Sequence, residues 1–343
     1  LKDGSLRDSD DEVLRGCLER ALGEAGKAPA AIVGLSRRPF AYETSFAIEA
    51  LDVRLGDGSE LRLLAKDVGG AGLSAAAAGV KPPFLAEPGR EIAVYRDLLD
   101  PAALSTPRYY GATTDEDEDR WWLFLERVEG EALTDVGALS AWRQTAAWAA
   151  LLDTAAGAVA AAVPAALLVQ RDRAWHERWI DAAIALGDES GPASEAGRRL
   201  SERLRAGRDA FLDRLDALPR AFVHGELYPS NVVVAETEGR GARIAPVDWE
   251  LAGTGPYALD LAALVSGWGS EEQLSMCRAF HESLVEGGGD APVFAELLAA
   301  VSLCRLTLAL QWIGWARGWR APEAHRHDWV AEALELLDEV GLG

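Results

Sequence analysis

The stretch HGELYPSN, residues 224–231, is followed by VDWE at residues 247–250. Between them lie two apolar, strand-like runs, Val232–Ala235 and Arg243–Val247, and the intervening Glu236–Ala242 carries two glycines, a composition suited to a hairpin turn. Polar residues collect at the two ends of this hairpin: His224, Glu226 and Asn231 before it, Asp248 and Glu250 after it. A carboxylate, an amide five positions on, and a second carboxylate at the end of the next strand suit phosphoryl transfer. The first accepts a hydroxyl proton, while the amide and the second carboxylate hold Mg²⁺ against nucleotide phosphates. A plain β-hairpin with solvated ends accounts for the strands but not for this polar spacing.

Bulk properties narrow the classes. At 343 residues the chain is long enough for two lobes or domains, and 49% hydrophobic with 26% charged residues is a globular composition. No run of ~18 uncharged apolar residues is present, so no membrane span is expected. Three widely spaced cysteines, Cys17, Cys277 and Cys304, make neither a disulfide framework nor a metal cluster, which points to a reducing cytoplasm. A formal net charge of −21 disfavours nucleic acid and anionic membrane as partners and is compatible with a cationic small molecule, although a generally acidic soluble surface explains it better. Only Lys2, Lys27, Lys66 and Lys81 are lysines among the 34 basic residues. Lys66 sits in the apolar run LRLLAKDV, where a charged side chain requires an anionic partner or a route to water.

The two quoted segments resemble those of the aminoglycoside phosphotransferase family, small-molecule kinases related in fold to protein kinases. HGELYPSN resembles the family's His-Gly-Asp-x-x-x-x-Asn loop and VDWE its metal-binding Asp segment, with Glu226 standing where the family usually has Asp. The resemblance implies an α+β, bilobal protein-kinase-like fold. Residues 1–126 would form a lobe with an antiparallel sheet and one main helix, 127–130 the linker, and 131–343 a helical lobe. It implies ATP (or GTP) and Mg²⁺ as cofactors. Lys66 would hold the α- and β-phosphates and Glu91 would orient it, with Glu87 the competing choice. The Glu126 carbonyl and Val128 amide would meet the base. Asn231 and Asp248 would hold the metal, and Glu226 would act on the acceptor hydroxyl, with His224 bracing the loop. Asp260 matches a loop-bracing position, or simply begins a helix.

Local patterns place the remaining elements. Ser9 reads as the N-cap of an amphipathic helix ending near Leu22. Strands are expected at Ala31–Leu35, Thr44–Leu55 and Leu61–Val68, the last two joined by Gly56-Asp57-Gly58. The loop Ser36–Glu43 between the first two lacks closely spaced glycines, so its phosphate contacts, if any, come from Ser36, Arg37 and Arg38. Leu73–Pro83 reads as a loop, and Pro88 opens a helix. Strands follow at Arg108–Thr114 and Trp121–Arg127, and helices at Leu139–Ala162, Trp175–Leu186, Ser194–Leu218, Asp260–Ser266, Ser270–Glu286, Pro292–Trp315 and His325–Val340. Trp312, Trp315 and Trp319 form a stripe that suits core packing better than a substrate platform.

The expected activity is therefore transfer of the γ-phosphate of ATP to a hydroxyl of a small molecule, with an antibiotic such as an aminoglycoside among the acceptors the resemblance admits. The rival is a catalytically impaired, nucleotide- or ligand-binding pseudokinase, motivated by Glu226 and the glycine-poor loop. Glu adds one carbon to Asp, roughly 1.5 Å. An uncompensated misplacement near that size costs on the order of 100-fold in rate. A protein-kinase reading is disfavoured by the absence of Asp-Phe-Gly and Ala-Pro-Glu.

Overall fold

The computed structural model describes residues 11–26, 31–40, 45–78, 81–159, 162–189, 195–237, 241–288, 291–315 and 327–342. Ser9, Tyr42, Glu43, Trp319 and His325 lie outside the described residues. The chain divides into two compact units. The first takes in Leu1–Glu131, Ala161–Leu167 and Val233–Glu250, and the second Ala132–Ala160, Leu168–Val232 and Leu251–Gly343.

The first unit opens with helix α1 (Asp11–Glu24), whose Leu14, Cys17, Leu18, Ala21 and Leu22 are buried. Strands β1 (Ile32–Pro39), β2 (Ile48–Leu55) and β3 (Glu60–Asp67) follow. After the short α2 (Ala75–Ala78) come α3 (Pro88–Ala93), a π-helical turn at Val94–Leu99, α4 (Asp100–Ala102), β4 (Tyr109–Asp115) and β5 (Arg120–Glu126). The five strands make one sheet in the order β1-β2-β3-β5-β4, with antiparallel neighbours throughout. Alternation decides its two faces. Leu51, Val53, Leu55, Leu63, Ala65 and Phe124 pack with the apolar side of α1. Lys66, in register with Ile48 and Leu123, therefore points to the opposite face.

One expectation for this unit is corrected. The loop begins after Pro39, not at Ser36, because Ser36, Arg37 and Arg38 continue β1 in register with Asp52, Leu51 and Ala50. Both arginines have carboxylate partners: Arg37 meets Glu49 at 3.2 Å, and Arg38 meets Asp52 at 2.9 Å. They are side chains of a strand rather than of a phosphate-covering loop. The segment after Leu73 also contains the short α2 and a 3₁₀ turn at Pro83–Leu85.

Past β6 (Glu131–Ala132), the second unit holds α5 (Leu139–Val159), β7 (Val169–Gln170), α6 (Arg173–Glu189), α7 (Glu195–Asp216) and β8 (Arg220–Val223). Strands β9 (Val232–Thr237) and β10 (Gly241–Pro246) form the expected paired hairpin, which from Val233 onward is counted with the first unit. The chain then continues through β11 (Gly253–Pro256), α8 (Leu259–Val265), α9 (Ser270–Glu286), α10 (Phe294–Trp315) and α11 (Trp329–Glu339). In the second unit β11 runs parallel to β7 and antiparallel to β8. This small sheet fixes where the chain emerges from β8 into His224.

Among the described residues, α10 alone has the length and apolarity to cross a membrane, with a mean hydropathy of 1.6 over a window that is 67% buried. Glu296 and Arg305 interrupt its apolar run. Leu303, Leu306, Ala309, Leu310 and Ile313 of this helix pack with residues of α6, α7 and α11, so α10 is the core helix of the unit.

Candidate phosphoryl-transfer site

In the first unit Lys66 is 4% exposed and donates to two carboxylates: Glu91 Oε2 at 2.7 Å and Asp248 Oδ1 at 2.6 Å. Burial acts against its charge, but Asp248 and Glu91 outweigh it and hold the ammonium above the ordinary lysine pKa. Lys66 is therefore a fixed cation. Glu91 is held from both sides, since its Oε1 accepts the Trp249 backbone N–H at 3.3 Å. The competing Glu87 serves the helix instead, as the N-cap of α3 that accepts from the Gly89 N–H at 3.2 Å. The helix continues from α3 into the π-helical turn, an irregularity that often accompanies functional sites.

Asp248 adopts φ 66°, left-handed backbone that few non-glycine residues take up and that Asp tolerates better than most. Trp249 is fully buried, its ring edge-on to Tyr95 with centroids 6.5 Å apart. It anchors the segment between the two carboxylates. Beyond it, Glu250 accepts Lys81 Nζ at 2.5 Å and Ser45 Oγ at 3.5 Å. The Glu250 carbonyl accepts Arg90 Nη1 at 2.6 Å.

Glu126 closes β5, and Val128 follows outside the strand. The Glu126 carboxylate takes a forked ion pair from Arg243, at 2.7 and 2.8 Å, and also accepts the Arg108 N–H at 3.0 Å. Its side chain thus ties β5 to β10. The neighbouring Arg127, 9% exposed at its side chain, reaches Asp52 at 2.8 Å and Glu129 at 3.1 Å.

In the second unit the HGELYPSN loop is secured largely by backbone bonds. The buried Asp260 accepts the N–H of His224 at 2.7 Å and of Gly225 at 2.9 Å, so its place at the start of α8 serves the loop. Burial raises its carboxyl to about 6, although those two amides and Arg171 pull the other way. His224 accepts the Glu226 N–H on Nδ1 at 3.3 Å, a geometry that puts its ring in a bracing role. Asn231 donates its side-chain N–H to the Glu226 carbonyl at 3.0 Å. That bond orients the amide and leaves its oxygen, the atom a hard cation prefers, outside the loop's own bonding.

Gly225 is required on two counts. Its φ is +88°, and a Cβ there would lie 2.0 Å from Arg171 Nη2 and 2.6 Å from the Leu251 carbonyl. Arg171, 1% exposed, donates to that carbonyl at 2.7 Å. Sequence reading missed Arg171, because nothing local marks an arginine after β7 as a buried partner of this loop. It also missed the bond from Trp312 Nε1 to the Tyr228 hydroxyl, at 2.9 Å. Trp312 stacks on Trp329 at 5.6 Å and meets Trp315 edge-on, so these two members of the stripe belong to a packed aromatic cluster.

The structure thus gathers Lys66, Glu91 and Asp248 into one cluster, and Glu226 and Asn231 into another. Comparisons with known proteins agree with the fold. Viomycin phosphotransferase of Streptomyces vinaceus is 34% identical over 134 residues, which is 39% of this chain and 42% of that protein, so the match spans less than half of the relative. Among solved structures, the GDP and kanamycin complex of APH(2")-IIia superposes with a TM-score of 0.56 at 15% identity, covering 90% of this chain and 93% of that one. A choline kinase from Cryptosporidium parvum Iowa II gives a TM-score of 0.57 at 10% identity, covering 96% and 94%. These likenesses carry the protein-kinase-like fold. A family model matches residues 48–297, a span that contains Lys66, Glu91, the HGELYPSN loop, Asp248 and Asp260, and with that match the chain belongs to the phosphotransferase enzyme family.

Proposed function

We propose that this protein transfers the γ-phosphoryl group of ATP, or GTP, to a hydroxyl of a small molecule, using Mg²⁺. The observation that supports this most is the buried Lys66 held between Glu91 and Asp248, a cation kept charged and aimed by carboxylates. The donor chemistry fits the metal as well, because Asp248 and Asn231 offer a carboxylate and an amide oxygen, both hard ligands. Bound Mg²⁺ would neutralise charge on the β- and γ-phosphates.

In this reading Asp248 and Asn231 hold the metal and Lys66 holds the α- and β-phosphates. Glu91 keeps Lys66 in position, and the Glu126 carbonyl and Val128 amide meet the base. Glu226 accepts or orients the proton of the attacking hydroxyl. His224 and Asp260 keep the loop in the conformation that presents Glu226 and Asn231. A bent Glu226 rotamer would compensate for its longer reach relative to Asp.

The acceptor we propose is a hydroxyl-bearing, cationic small molecule, in keeping with the chain's net charge of −21. Viomycin, kanamycin, choline and ethanolamine, substrates or ligands named for the similar proteins, make up the first panel. The test has two stages. Mg-ATP is expected to raise the melting temperature of the wild type and not of Asp248→Ala, and no shift in the wild type would remove the nucleotide reading. Acceptor-dependent ADP release with that panel then reads transfer, and Glu226→Gln is expected to slow it by at least about 100-fold. Full turnover by that variant would remove Glu226 from the chemistry.

A further inference from the structure

Lys81 belongs to no part of the mechanism so far, and its position is unusual for a chain so poor in lysine. It is one of four lysines in the sequence. Its Nζ meets Glu250 Oε2 at 2.5 Å, and its side chain is 9% exposed. It also lies over the Phe46 ring, 4.6 Å from the centroid, and Lys66 Nζ lies over the same ring at 5.5 Å. Two ammoniums thus contact one aromatic ring, each held by a carboxylate of the Asp248-Trp249-Glu250 segment.

We infer that Lys81 is a second phosphate-contacting residue, which exchanges Glu250 for the polyphosphate of the nucleotide. The inference rests on the phosphoryl-transfer reading above. Three observations carry it. The β1 residues Arg37 and Arg38 pair with Glu49 and Asp52 as side chains of the strand, not of a phosphate-covering loop. The described part of the β1–β2 connection also lacks the closely spaced glycines that bring amides to phosphate. Lys81 supplies positive charge from the following segment instead. A lysine is suited to the exchange, because an ammonium is a compact charge with rotatable donors. The Phe46 ring attracts both ammonium groups, whichever anion each one meets.

The test is equilibrium binding of Mg-ATP and of adenosine to the full chain, for wild type, Lys81→Gln and Lys81→Arg. Lys81→Gln is expected to weaken Mg-ATP by roughly 10- to 100-fold and to leave adenosine unchanged. Lys81→Arg, which keeps the charge, is expected to recover most of the loss. Equal Mg-ATP affinity in wild type and Lys81→Gln overturns the inference while leaving the nucleotide reading intact. Equal losses for Mg-ATP and adenosine also overturn it, since they mark a merely structural contact. No Mg-ATP binding by the wild type fails the nucleotide reading itself, and the inference with it. If Lys81→Gln does not fold, Lys81→Gln/Glu250→Gln removes the stranded carboxylate along with its partner and takes its place in the comparison.

Discussion

Asp260 accepts the backbone N–H of Gly225 at 2.9 Å, at the one point in the loop where a side chain has no room. The same carboxylate accepts the His224 N–H, so one buried acid on α8 holds two consecutive amides. Gly225→Ala is expected to break this arrangement through its positive φ and the contact with Arg171. Left-handed strain and overpacking together cost about 2–5 kcal/mol. Urea unfolding checks this, and a loss below about 0.5 kcal/mol would mean that the loop re-forms around the methyl group.

Asp260 also carries a pH signature. Its folded carboxyl titrates near 6, against an ordinary value of 3.8. The folded protein therefore binds this proton more tightly than the unfolded chain. The associated stability is fully present below about pH 4, falls as pH rises to about 6, and amounts to about 3 kcal/mol. Asp260→Asn lacks the titration. The unfolding free energy of the wild type relative to that variant should decline across pH 4–6 and level off above it. A difference that does not change with pH would contradict the assignment.

Lys66→Met should leave Glu91 and Asp248 facing each other with their shared cation removed. Breaking a buried ion pair from one side costs about 3–5 kcal/mol. Lys66→Met/Glu91→Gln should recover part of that loss because one stranded charge goes too. Chemical denaturation of the three proteins reads this directly. A double variant no more stable than the single would show that Glu91 is not the partner that suffers.

Trp312→Phe keeps a ring for stacking on Trp329 but removes the N–H given to Tyr228. The expected loss is about 1 kcal/mol of stability, with turnover falling more than Mg-ATP affinity. Tyr228→Phe should do the same, and the double variant should cost no more than either single one. Additive losses would mean that the 2.9 Å bond carries no coupling.

The loop and the carboxylate segment were legible because their residues are close in sequence and their spacing reports a shared chemistry. Most strands and helices were legible from apolar periodicity, while the sheet order was not. Lys81 was not, since its partner Glu250 is 169 positions away and no local pattern marks the pair. The same distance effect hid the Arg171 contact with Leu251, 80 positions apart. The end of β1 was misjudged for a different reason. Arg37 and Arg38 look like loop residues by composition, but antiparallel pairing with β2 and carboxylates at Glu49 and Asp52 make them strand residues. The Glu91 and Glu87 choice needed coordinates, because both acids begin the same helix and only one faces Lys66.

The left-handed backbone of Asp248 has a bearing on how this protein can vary. Glu226 stands where the family usually has Asp, at a residue with no positive φ. There the exchange changes only reach. At position 248 the backbone itself restricts the alternatives, because Asn and Gly tolerate φ 66° while a longer side chain gains nothing from it. Of the two carboxylates, one is open to natural drift between homologous acids, and the other is confined by conformation before chemistry is considered. Descendants of this sequence should therefore diverge at position 226 sooner than at position 248.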